Sequence, residues 1–64
     1  MNEAKPDFGF EELARCARRE VKQRVRVYPR LVTEGKMTKT TAYMEIAMME
    51  AIAVYLEAQN LAYD

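Results

Sequence analysis

Few side chains in this chain can do covalent or acid–base chemistry. Its 64 residues include no His and no Ser, and Cys16 is the single thiol. A catalytic cysteine needs a neighbouring base such as His to hold it as the reactive thiolate, and that base is missing. Hydrolysis through an activated serine is excluded by the same inventory. Cys16 reads instead as a small, part-buried residue on the flank of a helix. Glu45, Glu50 and Glu57 can exchange protons, but tuning a carboxylate requires a pocket, and a pair of helices offers none. Metal ligands are equally scarce: one Cys, no His and two Asp, Asp7 and Asp64. No enzyme activity, cofactor or metal site is expected.

Charge is the next resource. The chain is neutral, with ten basic and ten acidic residues, yet residues 15–30 hold seven basic side chains against one acid, Glu20. Six of them, Arg15, Arg18, Arg19, Lys22, Arg26 and Arg30, fall on one side of a helix at 100° per residue. Such a face can neutralise phosphates or meet an acidic partner. It is also what a solvated helix face looks like, and overall neutrality without a base-reading motif favours that plainer reading. Arg24 stands apart, inside the apolar arc of the same helix. In an antiparallel hairpin it lies near Glu45 or Glu50, where an ion pair would fix register more than it stabilises. Alternatively its stem covers apolar surface while its head reaches water.

The elements that must carry these residues are two helices. From Phe10 the apolar residues Leu13, Ala14, Ala17, Val21, Val25, Tyr28, Leu31 and Val32 recur at helical spacing, within an arc of about 120°. Residues 1–8 read as a flexible lead-in, with residues 9–64 as the helical domain. Asp7 is a candidate cap, Glu11 and Glu12 suit the positive end of the helix dipole, and Gly9 shifts the start towards Phe10. Pro29 lacks an N–H and crowds the preceding turn, so the helix is expected to kink there or to restart as a short second piece. Gly35 is the stop signal, and Thr38, preceded by Met37, is the next cap. The second helix is expected from about residue 39 to about residue 60. So short a link makes the helices antiparallel neighbours.

The second helix is apolar on most sides. In residues 42–56, only Glu45 and Glu50 are neither apolar nor tyrosine. One stripe, Ala42, Ile46, Met49, Ala53 and Leu56, is expected to face the first helix. A second arc holds Met44, Met48, Ala51, Ile52 and Tyr55, and a third side adds Tyr43, Ala47 and Val54. One partner helix covers about one such arc. A chain of this length buries only about 60% of its unfolded surface and needs a disulfide, a metal or an oligomer for stability. With one cysteine and no metal ligands, an oligomer remains: a homodimer closing a four-helix bundle through the second arc. The Met-rich arc also suits an adaptable groove for a foreign partner.

A lone cysteine suits a reducing compartment. The first residues lack a signal-peptide pattern. The apolar stretch is broken by glutamates and shorter than the ~20 residues a membrane span needs. A cytoplasmic location, away from membranes, is expected.

Val27-Tyr28-Pro29-Arg30, Gly35-Lys36-Met37, Glu45-Ile46 and Met49-Glu50-Ala51-Ile52 together resemble a group of small uncharacterised helical proteins of bacteriophages and prophage regions in proteobacteria. The chain departs from that group at Leu31, where an aromatic is common, and in having no His in the second helix. The resemblance implies a phage or mobile-element origin in a bacterial cell and assigns no site residue. The expected function is non-catalytic binding of a protein partner, with an inhibitor of a host defence system, such as an anti-CRISPR protein, as one concrete form. The alternative is a dimeric nucleic-acid accessory protein using the Arg-rich face.

Overall fold

Glu12 fixes the start of the first helix by reaching back to accept the Gly9 N–H at 2.9 Å. Gly9 is the cap, with extended backbone, and Glu11 and Glu12 occupy the first turn. Asp7 lies two residues too early to cap. In the computed structural model, which describes residues 7–63, the chain forms α1, Phe10–Thr33, and α2, Lys39–Tyr63. The two pack as an antiparallel hairpin, and no strand occurs among the described residues. Of the lead-in expected over residues 1–8, residues 1–6 lie outside the described residues, and Asp7 and Phe8 have no regular structure.

α1 continues as helix through Pro29 to Thr33, so there is no separate second piece. Proline removes one donor, the N–H that would meet the Val25 carbonyl. Val25 and Pro29 are both exposed, which leaves water to serve that carbonyl. The helix ends in two crossed hydrogen bonds: Gly35 N–H donates to the Val32 carbonyl at 3.0 Å and Lys36 N–H to that of Leu31 at 2.9 Å. This ending needs a left-handed residue, which Gly35 supplies at φ +75°. α2 then opens on Thr38, whose hydroxyl oxygen accepts the Thr41 N–H at 3.0 Å. It runs three residues past the expected end at 60, because Leu61 and Ala62 favour helix and no Gly or Pro intervenes.

The contact between the helices is built on alanine. Ala14, Ala17, Ala42 and Ala53 are the buried hydrophobic core, and Ala53 is wholly enclosed at 0% exposure. Around them sit half-buried larger residues, Phe10, Val21, Tyr28 and Leu31 on α1 and Ile46, Met49 and Leu56 on α2. Spacings alternate between three and four residues on both helices, the narrow seam of coiled coils. The inner stripe expected on α2 is the one that packs. On α1 the seam is narrower than the expected arc, and Leu13 and Val25 are exposed outside it. Arg24 takes a place in the seam.

Two substitutions probe this geometry. Gly35→Ala meets no atom within 4 Å, so its cost is backbone strain alone, about 1–2 kcal/mol. Ala53→Leu forces extra methylenes into the enclosed contact and is expected to cost about 1–3 kcal/mol. Urea unfolding followed by circular dichroism checks both, and unchanged midpoints would contradict the assignment.

Candidate functional site

Ion pairs pin both sides of the seam. On one side Arg24 donates from Nε to Glu20 Oε2 at 2.9 Å and from Nη1 to the Glu45 backbone carbonyl at 2.7 Å. The Glu45 carboxylate lies 3.6 Å from the same nitrogen. The guanidinium carbon stands 5.9 Å from the centroid of the Tyr28 ring. The Arg24 side chain keeps 21% of its exposure. Its hydrogen bond to Glu20, then the charges around it, raise its pKa against the opposing effect of burial. Of the two acids considered for it, Arg24 meets Glu45. Glu50 is turned elsewhere.

Glu50 faces Arg18 on the opposite side of the seam, at 3.8 Å. Arg18 mainly grips Glu57 with two parallel bonds, Nε to Oε2 at 2.7 Å and Nη2 to Oε1 at 2.8 Å. Arg18 therefore leaves the basic outer face in which its spacing had put it. The signal was present in the sequence. Arg18 follows Ala17 on the edge of the seam, and Glu50 and Glu57 are seven residues apart on one edge of α2. The Glu57 pKa is lowered, first by the Arg18 hydrogen bond and then by its charge, against desolvation. The Arg18 pKa is raised by the same bond.

The remaining basic residues form an outer stripe on α1. Arg15 approaches Glu11 at 3.5 Å, and Arg26 hydrogen-bonds the Gln23 side-chain carbonyl. Arg19, Lys22 and Arg30 are exposed, and their side chains have no ionic or hydrogen-bonding partner among the described residues. Cys16, expected to be part-buried, is exposed near this stripe because it falls outside the narrow seam.

On α2 the outer arc is open. Met44, Met48, Ala51, Ile52 and Tyr55 are all exposed, Met48 at 48% and Ile52 at 49%. Tyr43 and Val54 are exposed as well, while Ala47 is half-buried. A shallow apolar groove also opens between the helices near their connection, lined by Tyr28, Pro29, Val32, Ala42, Tyr43 and Ile46. Among the described residues no three His, Cys, Asp or Glu side chains are grouped to hold a metal ion. No described helix is long and apolar enough to cross a membrane. No protein-family model, curated protein or solved structure matches the chain.

The Arg18–Glu57 pair has a pH signature. A carboxylate with a lowered folded-state pKa stabilises above its unfolded pKa, and that stability is lost as pH falls through the folded value. Melting temperature is expected to drop on acidification through and below the ordinary carboxylate range. Glu57→Gln should flatten that acid limb and lower the neutral-pH melting temperature; an unchanged acid limb would contradict the pairing.

Proposed function

We propose that the chain is a non-catalytic interaction module that dimerises through the outer arc of α2. In this reading two hairpins, each with α1 bent at Pro29, close a four-helix bundle that binds a protein partner. The observation that carries it is the exposed, charge-free surface of Met44, Met48, Ala51, Ile52 and Tyr55. With Ala58 and Ala62, also exposed, Met44, Met48, Ala51 and Tyr55 repeat the alternate four- and three-residue spacing of the inner seam. α2 thus has two seams, and α1 occupies only one. The arc also suits self-contact. Antiparallel pairing about a two-fold near Ala51 opposes Met44 to Ala58 and Met48 to Tyr55, and brings no like charges together.

The resemblance to phage and prophage proteins supports a partner in the bacterial cytoplasm. Inhibition of a host defence system, as by an anti-CRISPR protein, is a concrete form of this activity. Covering a partner's surface needs no nucleophile, base or metal, which agrees with the lack of Ser and His.

Light scattering at micromolar concentration is expected to give twice the chain mass. Ile52→Glu or Met48→Glu, placing a charge at the centre of the arc, should give monomers, whereas Arg19→Gln should not change the mass. A monomeric wild-type chain would overturn the dimer. Pull-down from a bacterial host lysate should retain one stoichiometric protein; recovery of the bait alone would count against the protein partner.

A further inference from the structure

Apart from Asp7 and Lys39, the charge left unmatched by the fold among the described residues lies on one side of α1. Every glutamate of the two helices and their link is engaged: Glu11 with Arg15, Glu12 with the Gly9 N–H, Glu20 and Glu45 with Arg24, Glu34 with Lys36, and Glu50 and Glu57 with Arg18. A neutral composition therefore hides an uneven surface. Arg15, Arg19, Lys22, Arg26 and Arg30 follow one another at spacings of four, three, four and four residues, a stripe about 22 Å long on one side of α1. The side chains of Arg19, Lys22 and Arg30 have no partner among the described residues; Glu20, Glu45, Glu50 and Glu57 are taken up beside the seam, Glu11 by Arg15 and Glu12 by the Gly9 N–H.

We propose that this stripe binds the phosphate backbone of duplex DNA without reading its sequence. Three features favour that ligand. First, the other side chains sharing the stripe's side are Glu11, Glu12, Gln23, Pro29 and Thr33, so apolar surface touches only its edge and it has no apolar centre. Protein interfaces draw their energy from buried apolar and aromatic anchors, whereas phosphate binding gains from counterion release and needs none. Second, no aromatic residue lies among the stripe's cations on α1, and the one exposed aromatic beside it, Phe8, shares a shallow groove with Arg19 at one end only, short of the run of aromatics on which single strands stack. Third, the outward side of one α-helix, about 10–12 Å across, fits the B-DNA major groove, while the narrow major groove of duplex RNA excludes it. Gln23, the one amide on this side, has its carbonyl held by Arg26, so the contacts left to the stripe are cationic, and those go mainly to phosphates.

The stripe and the outer arc of α2 are on different helices, each turned away from the seam, so this inference does not rest on the dimer reading. Fluorescence anisotropy of the full chain with a labelled duplex of about two helical turns tests it. Affinity is expected to fall on the order of 100-fold between about 50 and 200 mM salt, as for four phosphate contacts. The double variant Arg19→Gln, Arg26→Gln should bind on the order of tenfold more weakly or worse at low salt, with a salt slope shallower by about two. Lys39→Gln, on α2, should bind as wild type, and monomeric Ile52→Glu should retain salt-dependent binding. Circular dichroism confirms that each variant is folded. No binding at low salt, affinity independent of salt, or undiminished binding by the folded double variant would overturn the proposal. So would equal or tighter binding to single strands or duplex RNA, or binding to polyglutamate in place of DNA, which would assign the stripe to an acidic protein.

Discussion

Ala14 and Ala17 on α1 and Ala42 and Ala53 on α2 are the residues that the hairpin encloses. A methyl side chain lets two helix backbones come close, but it removes little apolar surface from water. The larger apolar residues of the seam are therefore only half covered, and no third element among the described residues closes over them. A domain ordinarily buries a stripe of each helix between layers of structure. Here the layer is single, and nearly every other property of the molecule follows from that. Its outer apolar residues face water, its ionisable groups stay accessible, and the grooves among the described residues are shallow.

An alanine contact is permissive about register, because methyl groups slide past one another with little penalty. The arginines remove that freedom. Arg24 binds a backbone carbonyl and a carboxylate across the seam, and Arg18 grips Glu57 on the other edge. Ion pairs this exposed add little net stability, but two of them on opposite edges admit one alignment of the helices. They also consume the acids of α2. The same pairs that set the register thereby leave α2 no free acid and leave Arg19, Lys22 and Arg30 of the outer stripe of α1 unneutralised. Fold and surface electrostatics have one cause.

The parts of this arrangement that depend on local chemistry are readable along the chain. Gly35 ends α1 because only glycine takes its left-handed backbone cheaply, and Thr38 opens α2 because its hydroxyl meets an orphan N–H. The stripe of Ala42, Ile46, Met49, Ala53 and Leu56 follows from period alone. The width of the α1 seam does not. Leu13 and Val25 fit a helix-wide apolar arc, yet alanine contacts draw the helices together over a narrower band and leave both outside. Arg18 has the angular position of an outer-face cation until α2 is laid beside it. Its partners are 32 and 39 residues away in sequence, and angular position on one helix contains no information about the edge of another. The ending of α2 was equally hidden, since no stop residue marks it.

Function was harder to read than fold because the chain has almost no residues whose chemistry is specific. Histidine clusters, activated nucleophiles and glycine-rich loops announce a reaction; arginine and methionine announce only a surface. What the hairpin adds is the separation of two such surfaces. On α1 the exposed side is cationic and holds no apolar centre; on α2 it is apolar and holds no charge. Had the same residues been interleaved, arginines among the exposed methionines would oppose self-association through their desolvation cost. Segregated, each face can be occupied without displacing the other. That arrangement follows from the pairs on the two edges of the seam, which hold Glu20 and the acids of α2 beside it and away from both outer faces.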